Sequence, residues 1–187
     1  MVNQSIPAIF FDRDGTINCD NGYVYEIDNF KFIKGTIEAM IELKKMGYAL
    51  ILITNQSGIG IGLFTEEQFL KLTIWMYFSL IDYGIKLDGI YYCPHHPYAT
   101  EQKYKKICNC RKPKANMLLK AQKQLNINMK ASYMVGDKIS DIQAGRAAHI
   151  GTNVLVTSGK FITENDKKYA DWIINNLTDL PYKIKNR

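Results

Sequence analysis

The sequence predicts an α/β doubly wound parallel sheet, on three observations. Short apolar runs such as Ala8-Ile9-Phe10-Phe11 and Tyr48-Ala49-Leu50-Ile51-Leu52-Ile53 lack polar alternation, the pattern of strands buried on both faces. Between them lie segments with apolar residues at helical spacing, as at Ile37, Met40, Ile41 and Leu43. Carboxylates or hydroxyls stand directly after several of the apolar runs, where ligands bind in such sheets.

The elements follow in order along the chain. Gly47 stops the first helix before the second strand, which ends at Thr54. Thr65-Glu66-Glu67-Gln68 has the form of a capping box and opens a long helix running to Tyr83, ahead of Gly84. Gly89 to Tyr92 reads as a third strand, and Met117, Leu118, Ala121 and Leu125 outline another helix. Ser132 to Val135 forms the fourth strand and leads into Gly136-Asp137; a helix from about Ser140 to Ala148 and short strands at Asn153–Val156 and Trp172–Ile174 complete the pattern. With 187 residues, 47% of them hydrophobic, the expectation is one compact domain over 1–187.

Composition narrows the function. No apolar run reaches the roughly 18 residues that would span a bilayer, and Met1 to Pro7 lacks the basic and apolar regions of a signal peptide. A cytoplasmic protein without membrane contact is expected, acting as a monomer. Three of the four cysteines fall between positions 93 and 110, which suggests metal binding rather than a disulfide framework. The formal charge of +6 raises a rival of another class, a zinc-containing nucleic-acid-binding module, which would bind polynucleotide with a salt dependence set by its phosphate contacts. Acidic residues gathering at strand ends argue against it, so the expected partner is a small anion and not nucleic acid.

Asp12 and Asp14 follow the first strand with one residue between them, and Gly15 permits a sharp exit. Thr54, Lys112 and Asp137 occupy later positions of the same kind. Each alone has a plain structural reading as a turn or solvated loop, but together they supply the parts of phosphoryl transfer, which needs a nucleophile in line and cations around the moving oxygens. Asp12 can attack phosphorus and form an aspartyl-phosphate, and Asp14 can protonate the leaving alkoxide and then accept a proton from water. Thr54 and Lys112 can hold phosphoryl oxygens. Magnesium favours oxygen ligands and keeps several waters, so Asp12, the main chain near Asp14 and Asp137 would suffice to bind it, with Asp141 as outer support.

The motifs Asp12-Arg13-Asp14-Gly15-Thr16, Thr54-Asn55, Lys112 and Gly136-Asp137 with Asp141 resemble those of the haloacid dehalogenase (HAD) superfamily over nearly the whole chain. The resemblance implies a Rossmann-like, HAD-like fold and the roles given above. Few residues separate Asp14 from the first helix, so no large cap domain is expected.

Cys93-Pro94-His95-His96-Pro97 and Cys108-Asn109-Cys110 offer three thiols and a choice of imidazoles, enough for a closed tetrahedral zinc site with a structural role, stapling a loop at about 93–110. This loop is similar to that of heptose 1,7-bisphosphate 7-phosphatases and their histidinol-phosphate phosphatase relatives, whose ligands match Cys93, His95, Cys108 and Cys110 and leave out His96. The stretch Asn18 to Asp28 also resembles the heptose bisphosphatase loop, implying that Asp20, Asn21, Gly22 and Tyr23 contact sugar; Asn55, Gln56 and Ser57 lie in a further loop near the substrate. Arg111, with its fixed fork of donors, suits the second phosphate of a bisphosphate, and Lys138 adds charge there. A magnesium-dependent 7-phosphatase of a sugar bisphosphate, serving heptose precursor synthesis for lipopolysaccharide or another surface polysaccharide, is therefore expected, with histidinol-phosphate phosphatase as the alternative. Two departures stand out: Ile61 occupies a position where heptose bisphosphatases carry arginine, and Ala115-Asn116 replaces their Pro-Gly. Cys19 has no assigned role.

Overall fold

The computed structural model describes residues 5–159 and 163–187. Six parallel strands form one sheet in the order β3-β2-β1-β4-β5-β6: β1 (Ala8–Phe11), β2 (Ala49–Asn55), β3 (Gly89–Cys93), β4 (Tyr133–Gly136), β5 (Thr152–Val156) and β6 (Trp172–Ile174). The helices are α1 (Thr36–Lys45), α2 (Ser57–Gly60), α3 (Glu66–Asp82), α4 (Asn116–Leu125), α5 (Ile139–Ala147), α6 (Glu164–Lys167) and α7 (Asp179–Lys185). Strand β1 lies between β2 and β4, so the order reverses beside it and the crevice of the doubly wound sheet opens at the end of β1.

Strand alternation divides the core between the two faces. Ile9, Phe11, Leu50, Leu52 and Val135 face Met40 and Leu43 of α1 and Leu72, Met76 and Leu80 of α3. Their immediate neighbours Ala8, Phe10, Ala49, Ile51, Ile53 and Met134 face Met117, Leu118 and Ala121 of α4 and Ala144 of α5. Both sets are buried, which is why β1 and β2 read as unbroken apolar runs. A smaller cluster of Ile59, Phe64, Phe69, Ala99 and Tyr104 lies under the 93–110 loop.

The predicted strands and long helices are present, with ends within a residue or two of expectation. The capping box at Thr65 and Gln68 forms in both directions, and Gly47 and Gly84 take positive φ at the helix ends. Three short helices escape the sequence pattern. Helix α2 contains Gly58 and Gly60 in four residues, α6 spans one exposed turn, and α7 carries Pro181 in its first turn, a placement that proline tolerates. Between β1 and α1 the described structure holds only a short 3-10 turn at Ile27–Asn29, so no cap domain is inserted there. Among the described residues no helix is long and apolar enough to cross a membrane.

Leu52 is fully buried in β2, whose end carries Thr54. Leu52→Ala is expected to lower unfolding free energy by about 2–5 kcal/mol through lost burial and a residual cavity, read as a shift of the urea midpoint at constant slope.

Candidate active site

The carboxyl ends of β1, β2 and β4 place Asp12, Thr54 and Asp137 at one edge of the sheet. Lys112 reaches the same point from the loop before α4. It is 3% exposed, yet charged partners surround it: its Nζ lies 2.8 Å from Asp12 Oδ1 and 2.6 Å from Asp141 Oδ1, and donates to the Ile53 carbonyl at 2.7 Å. Burial works against the charge on Lys112, but the Asp12 and Asp141 carboxylates outweigh it and raise its pKa above the usual value. Burial likewise pushes Asp12 upward, and Lys112 and then Lys138 overcome that to hold it below the usual carboxylate range. Asp12 is thus ionised, as a nucleophile must be.

Asp12, Asp137 and Asp141 are all buried and bring one oxygen each within 4.8 Å of one another. Asp137 is pushed up to about 7 by burial and then by the charge of Asp12. Two ammonium groups, Lys112 and Lys138, face these three carboxylates in a dry place, and the all-oxygen donor set suits a hard divalent cation. Gly15 and Gly159 pack directly on Asp137, since a β-carbon at either position would overlap its carboxylate; Gly15 also needs its φ of 82°. Asp141, expected as outer support, brings an oxygen close to Asp12 and Asp137 and pairs with Lys112: α5 begins beside Gly136, where the missing β-carbon leaves space for the Asp141 side chain.

The Asp14 side chain lies outside the trio and takes its own set of donors. Arg13 donates through Nε and Nη2 to Oδ1 at 3.1 and 2.9 Å and through Nη2 to Oδ2 at 3.0 Å. Asn18 Nδ2 donates to Oδ1 at 3.0 Å and Gln56 Nε2 to Oδ2 at 3.1 Å.

A cavity of about 470 Å³ opens above these groups, lined by Asp14, Asp20, Gly22, Tyr23, Asn55, Gln56, Ser57, Arg111, Lys112, Pro113, Lys138 and Ser140. Most of the residues expected at the substrate are therefore brought together. Asn21 is exposed outside this lining, and Thr54 is buried beneath it, its Oγ1 accepting from Gln56 at 2.9 Å. Lys138 sits near the reacting end, 3.4 Å from Asp137, 3.6 Å from Asp20 and 3.9 Å from Asp12. Asn55 spends its amide on the main chain of Lys112, accepting from its N–H at 3.0 Å and donating to its carbonyl at 3.1 Å. Ile61 is half-buried at the end of α2 and does not line the cavity.

The 93–110 loop gathers Cys93, His95, Cys108 and Cys110 with their ligand atoms within 4.8 Å of one another. Sulfur–sulfur separations of 3.1–3.5 Å and sulfur–Nδ1 separations of 3.2 and 3.6 Å approach the edges of about 3.8 Å of a tetrahedron with 2.3 Å zinc–sulfur bonds. Burial lowers the His95 pKa, favouring the neutral imidazole that binds metals. The Arg111 N–H points to Cys108 Sγ at 3.4 Å, so the cluster fixes the residue beside Lys112. His96 stays outside, its Nδ1 accepting from the Tyr98 N–H. Glu66 accepts from the hydroxyls of both Tyr92 and Tyr104 at 2.8 Å, tying the loop to α3. Sequence reasoning assigned nothing to Arg13, Asn18, Ser140 or Ser158; the last donates to the Gly15 carbonyl at 2.8 Å from far along the chain, with no local signal to reveal it.

An ionised buried aspartate beside a buried lysine and an acidic trio, at the switch point of a parallel sheet, defines a phosphoric monoester hydrolase of the haloacid dehalogenase type, and the HAD-hydrolase-like family model matches residues 109–180. The D-glycero-beta-D-manno-heptose-1,7-bisphosphate 7-phosphatases of Photorhabdus laumondii and Yersinia pestis are 64% and 61% identical to this chain, covering 98% and 100% of it and 98% and 99% of their own lengths. The chain belongs to this heptose bisphosphate 7-phosphatase family. Its fold also matches the crystal structure of D,D-heptose 1,7-bisphosphate phosphatase from B. bronchiseptica, complexed with magnesium and phosphate, at a TM-score of 0.81 and 26% identity, covering 97% of this chain and 99% of that one.

Gly159→Ala, which places a methyl group against the Asp137 carboxylate, is expected to lower phosphatase turnover by at least about tenfold, an effect of about 1.4 kcal/mol on the barrier. Thermal unfolding and turnover measured side by side check that the loss falls on the reaction and not on the fold.

Proposed function

We propose that this chain removes the 7-phosphate of D-glycero-β-D-manno-heptose 1,7-bisphosphate, a step in supplying heptose for lipopolysaccharide or another surface polysaccharide. The observation that carries the reading is the Asp12 carboxylate 2.8 Å from the Lys112 ammonium, with Lys112 and Arg111 both in the wall of one cavity.

In the first half-reaction an Asp12 oxygen bonds to phosphorus as the bond from phosphorus to the 7-oxygen breaks, and Asp14 gives its proton to that oxygen. The sugar leaves as the 1-phosphate. In the second, water attacks the phosphorus of the aspartyl-phosphate, its proton passes to Asp14, and inorganic phosphate departs with Asp12 restored. Lys112 and Thr54 hold phosphoryl oxygens; Asp20, Asn21, Gly22 and Tyr23 receive the sugar, with Asn55, Gln56 and Ser57 along the opposite side. Arg111 takes the distal phosphate with its planar fork, while Lys138 steadies the reacting end.

Asp12, the main chain at Asp14 and Asp137 would hold magnesium, which supplies positive charge opposite the phosphoryl oxygens. Cys93, His95, Cys108 and Cys110 would hold a structural zinc that seats Arg111 and Lys112. Free thiols gathered for metal fit a reducing cytoplasm, and the chain acts as one domain and a monomer on a small-molecule substrate.

The deciding experiment measures phosphate release with magnesium from the heptose bisphosphate and from histidinol phosphate. The bisphosphate should be the faster substrate; faster turnover of histidinol phosphate rejects the assignment. Asp12→Asn should retain the fold and lose more than about 10³-fold in kcat, as expected for removal of a covalent nucleophile. Cys108→Ser should lower bound zinc, by metal analysis, and raise KM for the bisphosphate through a loosened Arg111.

A further inference from the structure

We propose that Arg13 is a positioning residue that ties the proton-transferring carboxylate of Asp14 to the substrate loop, a reading that rests on the role proposed for Asp14 above. Arg13 heads the fully buried side chains, at 1% exposure, where an arginine is found only when paired. Its fork grips both Asp14 oxygens, and the same Nη2 donates to the Val24 carbonyl at 2.5 Å. The guanidinium lies over the Phe69 ring, 5.7 Å from its centre. Val24 is buried and directly follows Asp20 to Tyr23, three of whose residues wall the cavity.

The other donors to Asp14, Asn18 and Gln56, each reach one oxygen. Among the described residues only Arg13 spans both oxygens and the loop. A packing role alone would be served as well by an apolar side chain, which needs no buried partner, whereas a planar fork fixes orientation. Orientation is what a carboxylate needs in order to face the leaving oxygen and later the water. Because one nitrogen serves both contacts, Asp14 is aimed when the loop that receives the sugar is in place.

The test varies the need for a proton on the leaving group. An alkyl phosphate such as the heptose bisphosphate requires it; p-nitrophenyl phosphate, which departs as a stable phenolate, does not. Arg13→Lys keeps the charge and loses the fork. It should lower kcat on the bisphosphate by about 30- to 100-fold, within the range of general acid catalysis, with KM within about threefold. The first-turnover burst of p-nitrophenolate should stay within about threefold of wild type, since that step needs no acid. Arg13→Lys combined with Asp14→Asn should be no slower than Asp14→Asn alone, because residues acting through one another are not additive.

Equal losses on both substrates, a loss confined to KM, wild-type behaviour on both, or additive losses in the double variant would each overturn the proposal. If circular dichroism shows Arg13→Lys unfolded, Phe69→Leu, which removes the ring face under the guanidinium, must show the same leaving-group-selective loss to a smaller degree; an even or absent loss overturns the proposal there. A wild type that releases p-nitrophenolate but no phosphate from the heptose bisphosphate rejects the substrate reading instead, and the alkyl arm is then read on histidinol phosphate.

Discussion

The ammonium of Lys112, held 2.8 Å from Asp12, 2.6 Å from Asp141 and on the Ile53 carbonyl, is the contact on which the site depends. A buried charge is tolerable only when paired and hydrogen-bonded, and this one lysine meets carboxylates from two separate parts of the chain. Burial alone would drive Asp12 toward its neutral form, and Lys112, with Lys138 behind it, is what overcomes that. The fold serves this contact from every side. Strand β1 presents Asp12, β2 presents the Ile53 carbonyl, the first turn of α5 presents Asp141, and Asn55 clamps the lysine main chain.

Much of this was legible in the sequence because the signal was local. Buried parallel strands need unbroken apolar runs, and whatever follows such a run lies at the ligand edge, so Asp12, Thr54 and Asp137 could be placed from their neighbours alone. Lys112 was legible through the cysteines that precede it. What escaped depended on side-chain direction or distant partners. Arg13 looked like the spacer between two aspartates, and only the burial of its guanidinium reveals what it holds. Asn55 lines the cavity as expected of it, but its hold on the main chain of Lys112 has no local signal in the sequence. The contact of Asp141 with Lys112 depends on Gly136, whose missing β-carbon leaves space for that carboxylate. Helix α7 was hidden by Pro181, which lies in the first turn where a missing N–H does no harm.

The site also divides its electrostatics. Positive groups arrive from loops, Lys112 and Arg111 on the cysteine-rich segment and Lys138 after β4, whereas Asp12 and Asp137 sit directly on strand ends. Strands give the rigid frame, so the acidic groups are placed first by the core. The Asp14 carboxylate stands apart with Arg13, Asn18 and Gln56, which separates it from the trio of Asp12, Asp137 and Asp141 by position as well as by partners.

Adjacent residues of the cysteine loop are anchored differently. Arg111 is tied to Cys108, within the loop itself, while Lys112 is pinned across the crevice to Asn55 on the sheet. A displacement of the cysteine loop is therefore carried directly to Arg111, while Lys112 keeps a second hold on the sheet beside Asp12. Two neighbouring cations of the cavity wall thus answer to different parts of the fold, one to the loop and one to the sheet, and a single backbone step, from 111 to 112, separates the two frames of reference.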